Sequence, residues 1–162
     1  MRSNNKTLVV RSAMVLTFSL LLMVLLILFA VPMVITPRLV NYYDAFANEY
    51  VITNLMFESP VLLTLSLLGI ILILLRRIQT DQILSSATNK WVKAFTAIAG
   101  FLALHFVFIG IWASSKNSLH QPTTFILILM FIISLAASLV SGSLLGLLKK
   151  ATAANEELEG VV

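Results

Sequence analysis

The chain has 162 residues, of which 59% are hydrophobic and 11% are charged, and its mean hydropathy is +1.00. Soluble domains carry about 25% charged residues, and a water-soluble fold of this length is excluded because it could not bury so much apolar surface. The net charge of +4 does not indicate direct nucleic-acid binding, because the basic residues flank apolar segments and suit anionic lipid headgroups. The composition therefore predicts one integral membrane domain.

Four apolar segments are long enough to cross a bilayer, which takes about 20 mostly apolar residues per helix. The predicted spans are 12–36, 56–75, 94–115 and 123–148. Between and after them lie an outer loop (37–55), a cytoplasmic loop (76–93) and a cytoplasmic tail (149–162). The predicted fold class is all-α: a polytopic membrane protein built as a bundle of four transmembrane helices.

The first span follows a basic start, as a secretory signal peptide does, but its apolar core is too long and no small-x-small cleavage site follows it. We therefore predict an uncleaved span that is kinked by Pro32 and ended with the help of Pro37. The second span is predicted to start with Ser59 as N-cap and Pro60 in its first turn. Residues 121–123 mark the start of the fourth span in the same way.

Lysine and arginine are unevenly distributed between the two sides of the predicted bundle. Of the 11 such residues, all but Arg38 and Lys116 lie near the N-terminus, in the 76–93 loop or just after the fourth span. Because cytoplasmic segments carry an excess of Lys and Arg, this pattern predicts that both termini and the 76–93 loop are cytoplasmic.

The outer loop and the residues after it are rich in aromatic side chains: Tyr42, Tyr43, Phe46, Tyr50 and Phe57. Tyrosine is enriched at membrane interfaces, where its ring is apolar and its hydroxyl stays hydrated. We favour an interfacial belt, and a ligand or peptide site on the exterior is the alternative.

His105 is the only ionisable residue well inside a predicted span, and such residues are functional candidates. With Ser134 and Ser138 it defines a candidate intramembrane polar site. It could relay a proton or bind a ligand, or it could donate a hydrogen bond to a serine or backbone carbonyl of another helix. We favour the structural role, because no carboxylate within the membrane is present to act as its partner.

Small residues recur every four positions along the fourth span, at Ser134, Ser138, Gly142 and Gly146. This spacing allows two helix backbones to approach closely. We favour packing inside the bundle, and the alternative is the interface of a homodimer.

Motifs of enzymes and metal sites do not occur in the sequence. It contains no H-E-x-x-H, no G-x-S-x-G and no phosphate-binding glycine loop, and it has no cysteine. Asp44 and Asp81 are predicted on opposite sides of the membrane and cannot form a catalytic pair. We therefore expect no enzymatic activity, no catalytic residue, no metal and no cofactor.

Two cytoplasmic elements carry most of the remaining polar sequence. Ser85 or Ser86 is predicted to cap a helix that begins near Ala87 and runs into the third span, and the tail is predicted to continue the fourth helix. Candidate docking residues on the two elements are Arg76, Arg77, Lys90, Lys93, Glu156, Glu157 and Glu159.

The same two elements resemble the bacterial four-span membrane family DUF2975, whose activity is not established. The carriers are "LRRIQTDQILSSATNKWVKAFTAIAG" (75–100) and "LLKKATAANEELEGVV" (147–162), and the resemblance extends over essentially the whole chain. Ile78, the polar turn 79–82 and Leu84-Ser85 stand where the family has isoleucine, a turn and an aromatic-serine pair, with Leu84 replacing the aromatic. The resemblance implies a bacterial cytoplasmic membrane. It also implies a nearby helix-turn-helix regulator as a cytoplasmic partner, since members are often encoded beside one.

Three functions remain open on the sequence alone. The leading one is a non-enzymatic regulatory or accessory protein that senses the membrane or docks a cytoplasmic partner. The second is a small transporter or channel subunit with a polar cavity around His105, Ser134 and Ser138. The third is an immunity protein against a membrane-active peptide, in which Tyr42 and Tyr43 would matter. Expected partners are membrane lipids and a cytoplasmic regulatory protein, with a second copy of the chain as the alternative for the small-residue stripe.

Overall fold

The computed structural model describes residues 2–42, 49–116 and 121–159, apart from the side chains at 2–6, 39, 40, 42, 122, 156, 158 and 159. The elements are α1 (Arg2–Ala30), a π-helical turn (Val31–Ile35), α2 (Thr36–Tyr42), α3 (Tyr50–Gln79), α4 (Ser86–Ser115) and α5 (Gln121–Glu159). The predicted all-α class is confirmed.

Four helices are long and apolar enough to cross a membrane: Thr7–Arg38, Tyr50–Gln79, Ser86–Ser115 and Thr123–Asn155. Each is longer than the span that the sequence predicted, because helical backbone continues into the polar flanks. Large apolar side chains such as Leu26, Leu104 and Phe125 are about two-thirds exposed, at 68% each. Such exposure suits a helix whose outer face is solvated by hydrocarbon.

The first helix is distorted at Pro32, as predicted, but it does not end at Pro37. The first helix distorts at Pro32 into a π turn, in which the Thr36 N–H bonds to the carbonyl of Val31 five residues back. It does not stop at Pro37, since α2 continues to Tyr42. Pro37 therefore lies inside a continuous helical stretch, where its missing N–H leaves one backbone carbonyl without a helical partner.

The start of the second span was also predicted wrongly. Helix α3 begins at Tyr50 after Glu49, and Pro60 lies inside it. Ser59 is therefore not an N-cap, and its hydroxyl donates to the Leu55 carbonyl at 2.7 Å. Proline is tolerated inside membrane helices because neighbouring hydroxyls and helices satisfy the backbone groups that it leaves free.

The predicted cap of the third span is confirmed. Ser85 is the N-cap of α4, in extended conformation, and its Oγ accepts a hydrogen bond from the Thr88 N–H at 3.2 Å. The prediction that the tail extends the fourth helix is also confirmed, because α5 runs unbroken from Gln121 to Glu159.

Each long helix packs mainly against its neighbours in the chain: α1 against α3, α3 against α4, and α4 most extensively against α5. Helix α4 contributes most of the buried apolar residues in the described part of the chain, and these are Val92, Ala99, Leu102, Ala103, Ile109 and Ala113. The core of the bundle therefore lies along α4.

Candidate functional site

We use the name basic loop for residues 76–93, which comprise the last turn of α3, the connection to α4 and the first turns of α4. Its turn is tightly hydrogen bonded: the Gln82 N–H bonds to the Arg77 carbonyl at 2.9 Å, and the Thr88 hydroxyl donates to the Gln82 carbonyl at 3.1 Å. Arg77 Nη1 donates to Ser85 Oγ at 3.3 Å. Asp81 has a φ of 54°, the left-handed conformation that closes the turn. The loop thus has a defined shape.

The basic loop contacts the end of α5. Asn89 Nδ2 donates to Thr152 Oγ1 at 3.3 Å, and Thr152 Oγ1 donates to the Leu148 carbonyl at 2.8 Å. Thr152 is buried although it lies beyond the predicted end of the fourth span. The two elements that the sequence singled out for docking are therefore side by side.

The candidate docking residues differ in their surroundings. Arg76, Lys90, Lys93 and Glu157 are exposed. Arg77 is half-buried and hydrogen bonded to Ser85, so it stabilises the turn. The side chains of Glu156 and Glu159 lie outside the described residues. Lys149 and Lys150 add two exposed cations at the same end of the bundle.

His105 lies inside the bundle, about 15 Å from the end of α4. Its Nε2 is 2.7 Å from Ser59 Oγ on α3. Because the Ser59 hydroxyl donates its proton to Leu55, His105 Nε2 is the donor of this second bond. The Phe101 ring stacks beside the imidazole at 6.4 Å between centroids. The hydrogen bond to a serine on another helix, one of the two roles considered for His105, is thus present.

No described hydrogen bond joins His105, Ser134 and Ser138, the three residues of the candidate intramembrane polar site. Ser134 Oγ donates to the Met130 carbonyl of its own helix at 2.8 Å. Ser138 Oγ donates to the Thr96 carbonyl of α4 at 3.0 Å. His105 bonds to α3 instead. Each of the three side chains therefore has a different hydrogen-bond partner.

Part of the small-residue stripe packs inside the bundle. A methyl group on Gly100 of α4 would lie 3.2 Å from Ser138 Oγ, and one on Gly142 would lie 3.5 Å from Thr96 Cγ2. Thr96 Oγ1 and Ser141 Oγ are 2.9 Å apart across the same contact. Gly146, at the end of the stripe, has open space where a side chain would be.

A cavity of about 530 Å³ lies where all four long helices meet. Among the described residues that line it, Thr64 alone bears a hydroxyl, which donates to the Pro60 carbonyl at 2.8 Å. The cavity is apolar, and His105, Ser134 and Ser138 do not line it. Phe57, expected in an interfacial belt, lines this cavity.

Sequence analysis missed a polar cluster at the opposite end of the bundle. Lys116 pairs with Glu49, which joins the end of α4 to the start of α3. The Thr36 hydroxyl donates to Asn54 Oδ1 at 2.9 Å, and the Tyr50 hydroxyl donates to the Pro32 carbonyl at 3.0 Å. Helix α3 was predicted to begin later, so Glu49, Tyr50 and Asn54 were assigned to a loop. Tyr43 and Phe46, and the side chain of Tyr42, lie outside the described residues.

Within residues 2–42, 49–116 and 121–159, no three His, Cys, Asp or Glu side chains are grouped so that they could hold a metal ion.

Comparison with curated proteins and with solved structures found no match. A family model matches residues 34–162, which contain α2 to α5, so the match is shorter than the resemblance suggested. By this match the chain belongs to the family described as Protein of unknown function (DUF2975).

Proposed function

We propose that this chain is a non-enzymatic protein of the bacterial cytoplasmic membrane that docks a cytoplasmic regulatory protein. The docking surface is formed by the basic loop and the end of α5 from residue 149 onward. The hydrogen bond between Asn89 and Thr152 carries the proposal, because it joins these two elements into one surface. A surface that is ordered before binding loses less conformational entropy when a partner binds.

The orientation in this proposal rests on charge. Four spans leave both termini on one side of the membrane, and the exposed cations Arg76, Lys90, Lys93, Lys149 and Lys150 lie on that side. Segments rich in Lys and Arg are retained in the cytoplasm. This supports a cytoplasmic position for the docking surface, where a small helix-turn-helix regulator would reach it.

The partner that suits this surface has an acidic patch for the lysines and a basic group for the exposed Glu157 of the tail. Lys90 and Lys93 are exposed on the first turns of α4, and Lys149 and Lys150 are exposed on α5 beside them. Complementary charge speeds association and selects the partner. Arg77 is not assigned to partner contact, because its guanidinium is hydrogen bonded to Ser85.

Copurification from solubilised membranes tests the proposal. We expect a helix-turn-helix protein to copurify with the wild-type chain and to be lost with Lys90→Glu/Lys93→Glu and with deletion of residues 156–162. The deletion keeps Thr152, so the contact with Asn89 remains. Arg38→Glu, at the opposite end of the bundle, is the control and should retain the partner. If both altered forms keep every partner of the wild type, docking at this surface is wrong.

The two alternatives have less support. A transporter or channel subunit was expected to have a polar cavity around His105, Ser134 and Ser138, whereas each of these residues bonds to a different partner and none lines the apolar cavity between the four long helices. An immunity protein was expected to depend on Tyr42 and Tyr43, whose side chains lie outside the described residues, and this stays a prediction.

A further inference from the structure

A groove of about 500 Å³ lies between α1 and α3, near the end of the bundle that carries the basic loop. The helices are antiparallel here, since residues 14–19 face residues 72–76 and Tyr50 bonds to the carbonyl of Pro32 at the other end. The groove is lined by Met14, Val15, Phe18 and Ser19 of α1 and by Leu72, Ile73 and Arg76 of α3.

The walls of this groove favour hydrocarbon over water. A water molecule in a cavity needs two to four polar partners. The Ser19 hydroxyl is already used, since it donates to the Val15 carbonyl at 3.0 Å. Arg76 is the other polar lining side chain, and it lies at one end. The groove is open to the surroundings of the bundle, which are hydrocarbon at this depth, so we expect an acyl chain against Val15 and Phe18.

The end of the groove is cationic. Arg76 is one turn beyond Leu72 and Ile73 on α3, and the exposed Arg11 is one turn before Met14 and Val15 on α1. Because the helices are antiparallel, these two turns lead to the same end of the groove. Neither guanidinium has an ion-pair partner among the side chains that the structure describes. Guanidinium groups bind phosphate through paired hydrogen bonds, and basic pockets between membrane helices bind anionic headgroups.

We propose that this groove binds an anionic phospholipid of the surrounding bilayer. One acyl chain lies along Phe18 and Leu72, and the headgroup phosphate is held by Arg11 and Arg76. The volume is within the range of about 300 to 1,000 Å³ typical of small-molecule sites. Arg76 belongs to both the groove and the basic loop, whereas Lys90 and Lys93 do not line the groove. Lipid binding is measured on the purified protein without a partner, so its result does not depend on partner docking.

Native mass spectrometry of the delipidated protein tests the site with phosphatidylglycerol as the probe. We expect Arg11→Gln/Arg76→Gln to weaken binding of the first lipid about tenfold or more, since each cation near the headgroup contributes to lipid affinity. Lys149→Gln/Lys150→Gln removes the same charge at the same end of the bundle and is the matched control. We expect it to change the affinity by less than about twofold. Equal weakening by the two pairs would show only general surface attraction and overturn the proposal.

A second measurement locates the acyl chain. In a Trp91→Phe/Trp112→Phe background, Phe18→Trp places a single fluorophore in the groove. We expect brominated phosphatidylglycerol to quench it more strongly than brominated phosphatidylcholine, and we expect Arg11→Gln/Arg76→Gln to abolish this preference. Inorganic phosphate should not relieve the quenching. Equal quenching by both lipids, or full relief by phosphate, would contradict a phospholipid site.

Discussion

Hydroxyl groups carry most of the described polar contacts between the helices. Many serines donate only to the carbonyl four residues back in their own helix, as Ser66 does to Leu62 at 3.0 Å. Ser59 does this and also accepts from His105 of α4. Within a bilayer no water is present to replace such a bond, so the few hydroxyls that reach another helix decide which faces meet.

A double-mutant cycle on Ser59 and His105 tests whether their contact holds α3 to α4. We expect Ser59→Ala and His105→Ala each to lower the free energy of unfolding, with a coupling of about 0.6 kcal/mol and at most about 1.7 kcal/mol, as for other hydrogen bonds between membrane helices. The measurement is SDS-induced unfolding in micelles, followed by circular dichroism.

Ser66→Ala is the control for this cycle. Ser66 lies two turns along α3 and bonds only within its helix, so Ser66→Ala should show no coupling with His105→Ala. Additive losses for Ser59→Ala and His105→Ala would mean that the two side chains act independently, contrary to the described contact.

At the level of elements, α4 and α5 form the closest helix pair. Gly100 of α4 faces Ser138 of α5, and Gly142 of α5 faces Thr96 of α4. The Ser138 hydroxyl is also held by the Thr96 carbonyl at 3.0 Å. Small residues allow this approach, because a larger side chain would separate the two backbones. Dispersion and hydrogen bonding then take the role that the hydrophobic effect has in water.

Two glycine substitutions in α4 should have different effects on stability. Gly100→Ala places a methyl 3.2 Å from Ser138 Oγ, so Ser138 must move and its bond to Thr96 weakens. Gly110→Ala meets nothing within 4 Å. Both substitutions improve helix propensity by about 1 kcal/mol. We therefore expect Gly110→Ala to have a Tm above that of Gly100→Ala, measured by thermal unfolding in detergent. A higher Tm for Gly100→Ala would show that α4 and α5 are not packed this closely.

Across the whole molecule, the two ends are joined by polar contacts, and the middle combines an apolar cavity with a few hydrogen bonds between helices, such as those of His105 and Ser138. At one end Asn89 joins Thr152, and at the other Lys116 joins Glu49. Between them lies the apolar cavity shared by the four long helices. A bilayer favours this distribution, since its headgroup regions hydrate polar groups and its core does not.

Cysteine accessibility tests the proposed orientation of the whole molecule. The chain has no native cysteine, so a single introduced thiol reports its own position. We expect Thr80→Cys, in the basic loop, to resist an impermeant maleimide in intact cells and to react after permeabilisation. Ser115→Cys, at the other end of α4, should react in intact cells. The reverse pattern would place the basic loop outside the cell and remove the proposed docking surface from the cytoplasm.

Prediction from the sequence succeeded where one local signal decides the structure. Ser85 was one of two serines predicted as the cap, because a hydroxyl there can reach an N–H of the first turn, and that contact is local. It failed at Pro37 and Ser59, where local signals for a helix end or start are present but the helix continues. Membrane helices must satisfy their backbone groups internally, so continuing the helix past a proline is favoured over ending it inside the bilayer.

Sequence by itself determined the solvent, the number of spans and the family, because these follow from the length of apolar segments and from local motifs. Tertiary structure decided which polar groups meet: His105 with Ser59, Asn89 with Thr152, and Ser138 with Thr96. It also formed the groove that ends at Arg76. These partners depend on how each helix is rotated and tilted against its neighbours, and hydropathy does not specify rotation because lipid solvates any apolar face equally.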